Sequence, residues 1–514
     1  MHRFWFLFTL CSLFSGSILA ETPYDEVFTP EGTFRPAYQS PVHRAQRLLS
    51  NFPSGLQARL QNGPFNDRID VAPQPLYLTP SENETLLQGG IQRARALHAF
   101  LLDILSENSR ILNASHFSPA IWDAIELALS DSEWNFEALK TFLKVHPLES
   151  IHFMHGADVI RGPDGRFFVL EDNVGNIGGF GDLYALRNVY ALPYGESPSS
   201  FASLEALNTQ DERSFFENFL KDNDIAPEDV VHIFNDFPPL NLNRIRAKYD
   251  LEGLRSDTLF DFVFPDATRV PYGKRQAMLR DGLGRRAIAN PLKSFLAQRE
   301  AQKKRSLIVF YAPFTNSDSW PEDQEVLTLY QNAPHAQLWH TPGLDTLLSS
   351  KAFLPFMDIF IRFYLNETPL LQTAPTFGPY RTPEAVLEAL EHFKGAPVLK
   401  EVHSTHGEGV FLLERMDESQ RRAWKNQMLR TYREQPESFG YVLQQELTPS
   451  VLDGNYIDLR PIVRVGGRGP PKAFSTPWAR AVSPSHNFGK SNVSAGAREL
   501  LVVIPPSPCE SIFD

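Results

Sequence analysis

Cysteine is almost absent from this chain: two among 514 residues, at Cys11 and Cys509. Cys11 lies in an N-terminal stretch with the plan of a secretory signal. Met1-His2-Arg3 is basic, Phe4 to Phe14 is apolar, Ser15-Gly16-Ser17 is small, and Ile18-Leu19-Ala20 precedes Glu21. Cleavage after Ala20 would leave Cys509 as the single thiol. A mature chain so processed has no internal disulfide and is stabilised by burial alone, even if exported. Basic excess is also missing. The net charge is −12 and the pI about 5.7, which disfavours nucleic acid as a general partner because few phosphate counterions could be displaced. Long apolar runs are scarce too. The N-terminal one is too short to cross a bilayer, so no stable membrane span is expected once it is removed.

The chain carries 42% hydrophobic and 21% charged residues, an ordinary balance for folded domains. Its length suffices for two or three domains with cores. Phe (39) and Pro (40) are abundant, which suits a rigid, loop-rich fold with aromatic cores. Leu87, Ile91, Ala94, Leu97, Leu101 and Ile104 recur at three- and four-residue steps, so residues 86–146 read as helices. Asp358 to Tyr364 reads as a strand.

The most informative stretch is 155–173. Pro163-Asp164-Gly165 is a turn between two strand-like segments. Phe167 to Leu170 is apolar and ends abruptly in Glu171-Asp172-Asn173. Glu171 and Asn173 share one face of an extended chain, and a closed hairpin brings Asp158 alongside them. Two carboxylates and an amide oxygen on one face suit Mg²⁺, a hard cation that prefers oxygen ligands. The loop Gly175 to Gly181, with Gly178 and Gly179 at its centre, can bring backbone N–H groups close to an anion.

This unit resembles the magnesium site of ATP-grasp enzymes. Its early position, and the phrase Gly-Ala-Asp-Val-Ile-Arg…Gly-Arg-Phe-Phe-Val-Leu-Glu-Asp-Asn, resemble the circularly permuted ATP-grasp family. Within it, the resemblance is to type 2, related to glutathionylspermidine-synthase-like ligases. Tyr24 to Tyr38 is similar to the family's N-terminal phrase, while Arg187-Asn188 stands in an order different from the family's.

Further along, the order of motifs continues the resemblance. A strand ends at Lys400 and runs into Glu401-Val402-His403-Ser404-Thr405-His406-Gly407-Glu408-Gly409, similar to the family's lysine and phosphate-covering loop. The spacing of His403 and His406 could also suggest zinc, but no cysteine stands nearby. Tyr441 to Leu447 resembles the strand that offers backbone groups to adenine and an acid to ribose, with Gln445 and Glu446 at those places. Ile457 to Val465 resembles the strand that aims an arginine at the nucleotide, through Asp458 and Arg460. Arg480 and Asn492 complete the series.

The resemblance implies an α+β fold: a circularly permuted ATP-grasp fold with an α-helical N-terminal region. The expected division is a signal peptide (1–20), a mostly helical region (21–150), a metal-site half (151–300), an intermediate α/β region (301–390) and a nucleotide-clamping half (391–514). It also implies ATP and Mg²⁺. Asp158, Glu171 and Asn173 would hold the metal. Lys400 and Arg460 would act on phosphates as the catalytic cations. Gln445, Glu446, Asp458, Arg480, Asn492, Gly178 and Gly179 would complete the nucleotide site. The implied activity is a carboxylate–amine ligase acting through an acyl phosphate on a small-molecule or peptide substrate bearing a carboxylate. The alternative is an exported, non-catalytic binding protein on the same fold. The substrates and the oligomeric state are not readable from the sequence.

Overall fold

The computed structural model describes residues 22–39, 72, 75–114, 118–130, 139–140, 142–175, 177, 218–226, 229–233, 296–310, 333–338, 341, 343–404, 409–485 and 497–504. In chain order its strands are β1 Leu76–Tyr77, β2 His152–Arg161, β3 Phe167–Val174, β4 Val230–Ile233, β5 Ser306–Phe310 and β6 Ala336–Leu338. They continue with β7 Gln372–Thr373, β8 Thr376–Tyr380, β9 Pro397–Glu401, β10 Val410–Leu412, β11 Tyr441–Gln445 and β12 Val451–Leu452. The last are β13 Asn455–Arg460, β14 Ile462–Gly466, β15 Lys472–Ala473, β16 Trp478–Val482, β17 Arg498–Leu500 and β18 Val502–Val503. Four helices matter to the site: α1 Pro80–Ile104, α2 Ser118–Ser130, α3 Pro383–His392 and α4 Glu418–Glu434. The fold is α+β. Among the described residues no helix is long and apolar enough to cross a membrane.

The main sheet has the order β15-β14-β2-β13-β16-β17, with β3 on the other edge of β2, β7 beside β3, and β12 beside β13. It therefore interleaves residues 152–174 with residues 451–500. The expected strand 457–465 is present but broken at Pro461, which has no N–H to give to a ladder. Leu459 opposite Val159 and Ile462 opposite Gly156 keep one register across the break.

The second sheet is antiparallel, ordered β10-β9-β11-β8. Leu399, Tyr441 and Leu443 face helices α3 and α4, in a core with Val386, Trp424, Met428 and Phe439. Strand alternation turns Lys400, Val442 and Gln444 the other way, toward the main sheet. A three-stranded parallel sheet, β4-β5-β6, stands apart from both.

Helix α1 begins with a capping box, in which Thr79 accepts from the Glu82 N–H and Glu82 from the Thr79 N–H. Gly89 and Gly90 let it lie close to neighbouring chain; a Cβ on Gly89 would sit 2.3 Å from Leu371 Cγ.

The segment expected as a strand, Asp358 to Tyr364, is helical: Met357–Phe360 followed by a wider turn at Ile361–Leu365. Its aromatic and β-branched residues have local strand character. Phe353, Met357, Phe360 and Ile361 are buried at helical spacing instead, and Phe360 stacks on Phe100 of α1 at 4.2 Å. Packing against α1 overrides local preference.

Residues 22–38 bind the turn end of the β2–β3 hairpin. Arg161 meets Glu26 at 3.0 Å and Glu82 at 2.6 Å, and its guanidinium lies 4.9 Å from the Tyr24 ring. Burial raises the Glu26 pKa and Arg161 opposes the rise. Arg161→Met would leave Glu26 buried and uncompensated. The expected loss is on the order of 3–5 kcal/mol, read as a lower urea midpoint that Arg161→Lys partly recovers.

Candidate nucleotide and metal site

The β2–β3 hairpin closes as the spacing predicts, with Asp158 opposite Glu171 and Gly156 opposite Asn173. The register then slips, so that Val159 faces Val169 and Leu170 is an extra residue. This β-bulge takes Leu170 out of the ladder. Its carbonyl is taken up from the second sheet, by Lys400 Nζ at 2.9 Å and Gln444 Nε2 at 3.3 Å. Asn173 Nδ2 donates to the Gly156 carbonyl at 3.2 Å, which turns the amide oxygen away from that carbonyl.

Next to the hairpin, the register of β13 sets Arg460 across from Asp158, and β16 sets Trp478 across from Arg460 and Arg480 across from Asp458. Arg460 reaches Asp158 Oδ1 through Nε at 2.7 Å and Nη2 at 2.6 Å. Arg480 Nη2 reaches the same oxygen at 3.3 Å, while Arg480 Nε donates to Asp458 at 2.7 Å. Burial alone would raise the Asp158 pKa, but Arg460 and Arg480 override it and hold the carboxyl below the usual range. The Trp478 ring lies 5.2 Å from the Arg460 guanidinium and 4.8 Å from that of Arg480. Its Nε1 donates to the buried Glu499. Gly156 is required here, since a Cβ would fall 2.7 Å from Ile177 and 3.0 Å from Arg460 Cδ.

Two lysines close the arrangement. Lys351 Nζ pairs with Glu171 at 3.0 Å and donates to the Ser404 carbonyl, joining the hairpin to the segment after Lys400. Lys400 is buried, and desolvation lowers its pKa to about 8 although Glu171 pulls it back up. Four cations (Lys351, Lys400, Arg460, Arg480) thus gather with four carboxylates (Asp158, Glu171, Asp458, Glu499). Cations held in place by paired carboxylates can be offered to a phosphate-bearing ligand that brings its own metal ion.

Of the expected nucleotide residues, Gln445 and Glu446 follow Gln444 at the end of β11. Their N–H groups donate to the Pro375 and Ala396 carbonyls, each at 2.8 Å, and Glu446 pairs with Arg415. Gly178, Gly179 and Asn492 lie outside the described residues, as do residues 1–20, Arg187, His406 and Cys509. Among the described residues, no group of three or more His, Cys, Asp or Glu side chains is arranged to hold a metal. The oxygen set of Asp158, Glu171 and Asn173 has two carboxylates and an amide, and its hard oxygen atoms fit Mg²⁺.

Sequence reasoning missed Lys351, Gln444 and Asp172. Alternation gives a signal for two of them: Gln444 is the polar residue opposed in face to Leu443, and Asp172 faces away from Glu171 and Asn173. Lys351 carries no local signal.

Family comparison agrees with this geometry. Residues 75–222 match the circularly permuted ATP-grasp type 2 family, and residues 332–442 match a circularly permuted ATP-grasp family model. The chain belongs to the circularly permuted ATP-grasp family. The matched stretches carry the bulged hairpin and strands β8, β9 and β10 of the second sheet, and end at the start of β11. A putative glutamate–cysteine ligase 2-2 of Frankia casuarinae is 30% identical over 169 residues, or 30% of this chain. That match spans 18% of the relative's own length. A glutathione synthetase-like effector of Globodera pallida, solved in its apo form, aligns over 91% of this chain and 98% of its own, at 13% identity and a TM-score of 0.41.

A buried lysine on an ATP-grasp strand opposes stability. Below about pH 8 Lys400 is charged in both folded and unfolded chains, and the full desolvation cost is present. Between about 8 and its ordinary 10.5, the folded state binds fewer protons and stability rises with pH. Lys400→Met should therefore stabilise the protein at pH 7, by on the order of 3 kcal/mol at most. Denaturation at pH 7 and pH 10 should show the gain shrinking at the higher pH.

Proposed function

We propose that this chain binds Mg²⁺-ATP along the seam between its two sheets and uses it to join a carboxylate to an amine. The carrying observation is the convergence of Lys400 and Gln444 on the Leu170 carbonyl, one residue from Glu171. A cation of one sheet thereby lies beside the oxygen ligands of the other. ATP and Mg²⁺ use is general in ATP-grasp ligases, and the stretch of 169 residues matches a protein named as a glutamate–cysteine ligase.

Magnesium held by Asp158, Glu171 and Asn173 would neutralise phosphate charge and orient the transferred group. Lys400 and Arg460 contact phosphate oxygens and stabilise the charge that builds as the phosphoryl group moves. Arg480, fixed by Asp458, keeps Arg460 aligned through the Asp158 carboxylate that both share. Gln445 and Glu446 would take the adenine and ribose; the roles of Gly178, Gly179 and Asn492, outside the described residues, rest on the family resemblance alone. The substrate carboxylate oxygen attacks the γ-phosphorus and ADP leaves. The amine nitrogen then attacks the acyl carbon, phosphate departs with the C–O electron pair, and the amine proton passes to solvent. We propose further that residues 1–20 direct export.

Calorimetric titration of residues 21–514 with ATP in the presence of Mg²⁺ tests the reading. Binding in the wild type, weakened at least about tenfold in Glu171→Ala at a temperature where the variant is still folded, is the expected result. No binding at millimolar ATP would overturn it and favour a non-catalytic binding protein. An N-terminus at Glu21 in the secreted protein is the expected outcome for export.

A further inference from the structure

The proposed chemistry leaves unused a buried polar cluster directly behind the metal ligands. Alternation along β3 turns Asp172 to the face opposite Glu171 and Asn173. There Arg93, from the middle of α1 and fully buried, grips it with both arms of its guanidinium. Nε donates to Oδ1 at 2.8 Å and Nη2 to Oδ2 at 2.5 Å. His155 Nε2 lies 2.9 Å from Oδ1. Thr373 Oγ1 accepts from Arg93 Nη1 at 3.0 Å and donates to Asp358 Oδ1 at 3.0 Å.

We infer that Arg93 and Asp172 are positioning residues for the metal site, with α1 as a splint along the hairpin. The inference rests on Glu171 and Asn173 being metal ligands. Asp172 is the residue between those two, so a shift of its backbone displaces both. The neighbouring bulge makes this the weakest part of the β2–β3 ladder, since Leu170 is out of register. A bidentate Arg–carboxylate pair fixes orientation as well as distance, and it acts where the ladder does not.

The same helix holds the hairpin at a second point, through Glu82 and Arg161. Glu82 and Arg93 are eleven residues apart, roughly 16 Å along a helix. Arg161 and Ala157, which lies opposite Asp172, are four residues apart, roughly 13 Å along a strand. The two spacings are nearly commensurate, so one rigid helix can hold both points. Glu82 sits on helix and Arg161 on strand, whereas Arg93 sits on helix and Asp172 on strand. The charges are reversed between the two points, which opposes pairing of α1 in a shifted register.

The test uses the full chain and a paired variant, Arg93→Met with Asp172→Asn. It removes one charge of each sign, so local net charge is unchanged and no lone ion remains buried. Mg²⁺ is titrated calorimetrically at saturating ATP, and thermal unfolding is followed without ligand. The expected result is a folded variant with Mg²⁺ affinity down about 10–100-fold, and partial recovery when Arg93→Lys replaces the pair. Unchanged Mg²⁺ affinity in a folded paired variant, with Glu171→Ala still losing it, would overturn the inference and leave the functional reading standing. Wild-type protein that takes up no Mg²⁺-ATP would overturn both. If the paired variant does not fold, Thr373→Val decides. It removes one bond to the guanidinium and keeps the ion pair. A several-fold loss of Mg²⁺ affinity supports the splint, and no change overturns it.

Discussion

Asp158 Oδ1 is where the main sheet is tied together. Arg460 and Arg480, from two further strands, both reach this one oxygen. Charges this buried are expensive to desolvate and stay ionised only where opposite charges and hydrogen bonds surround them. Asp458, Trp478 and Glu499 provide that surrounding on the outer strands. The result is a row of fixed charge across the sheet face, beside the oxygen-rich end of β3. Such a row is costly as a stabilising device. It is well suited to holding a ligand that carries several negative charges and a cation.

Chain order makes the row dependent on the whole fold. Asp158 and Arg460 are 302 residues apart in sequence, and β2 gains its β13 and β14 neighbours only after the second sheet has been threaded between them. Lys400 and Lys351 tie the second sheet's side to the hairpin in the same long-range way. Contacts of such separation are entropically costly to form. Local devices ease this: the Pro163-Asp164-Gly165 turn, the capping box of α1, and the two grips of α1 on the hairpin.

Much of the site could be read from local rules. Turn chemistry and two-residue periodicity put Asp158, Glu171 and Asn173 on one face, and the same periodicity paired Asp458 with Arg460. Family resemblance supplied the α+β fold and the order of motifs. Contacts set by tertiary packing were harder to read. Lys351 reaches Glu171 from a short helical segment without a motif. Leu170 joins the site through its backbone, which no residue identity announces. The bulge is a matter of register, invisible in the apolar run Phe167 to Leu170. The segment at Asp358 failed for a related reason: its aromatic residues suit a strand locally, but they fill the helical core against Phe100.

A structure of the protein with Mg²⁺ and a non-hydrolysable ATP analogue tests the central claim most directly. The account predicts a metal on Asp158, Glu171 and Asn173, with phosphate oxygens on Lys400 and Arg460 between the two sheets. A nucleotide bound elsewhere, with Arg460 and Arg480 still closed on Asp158, would contradict it.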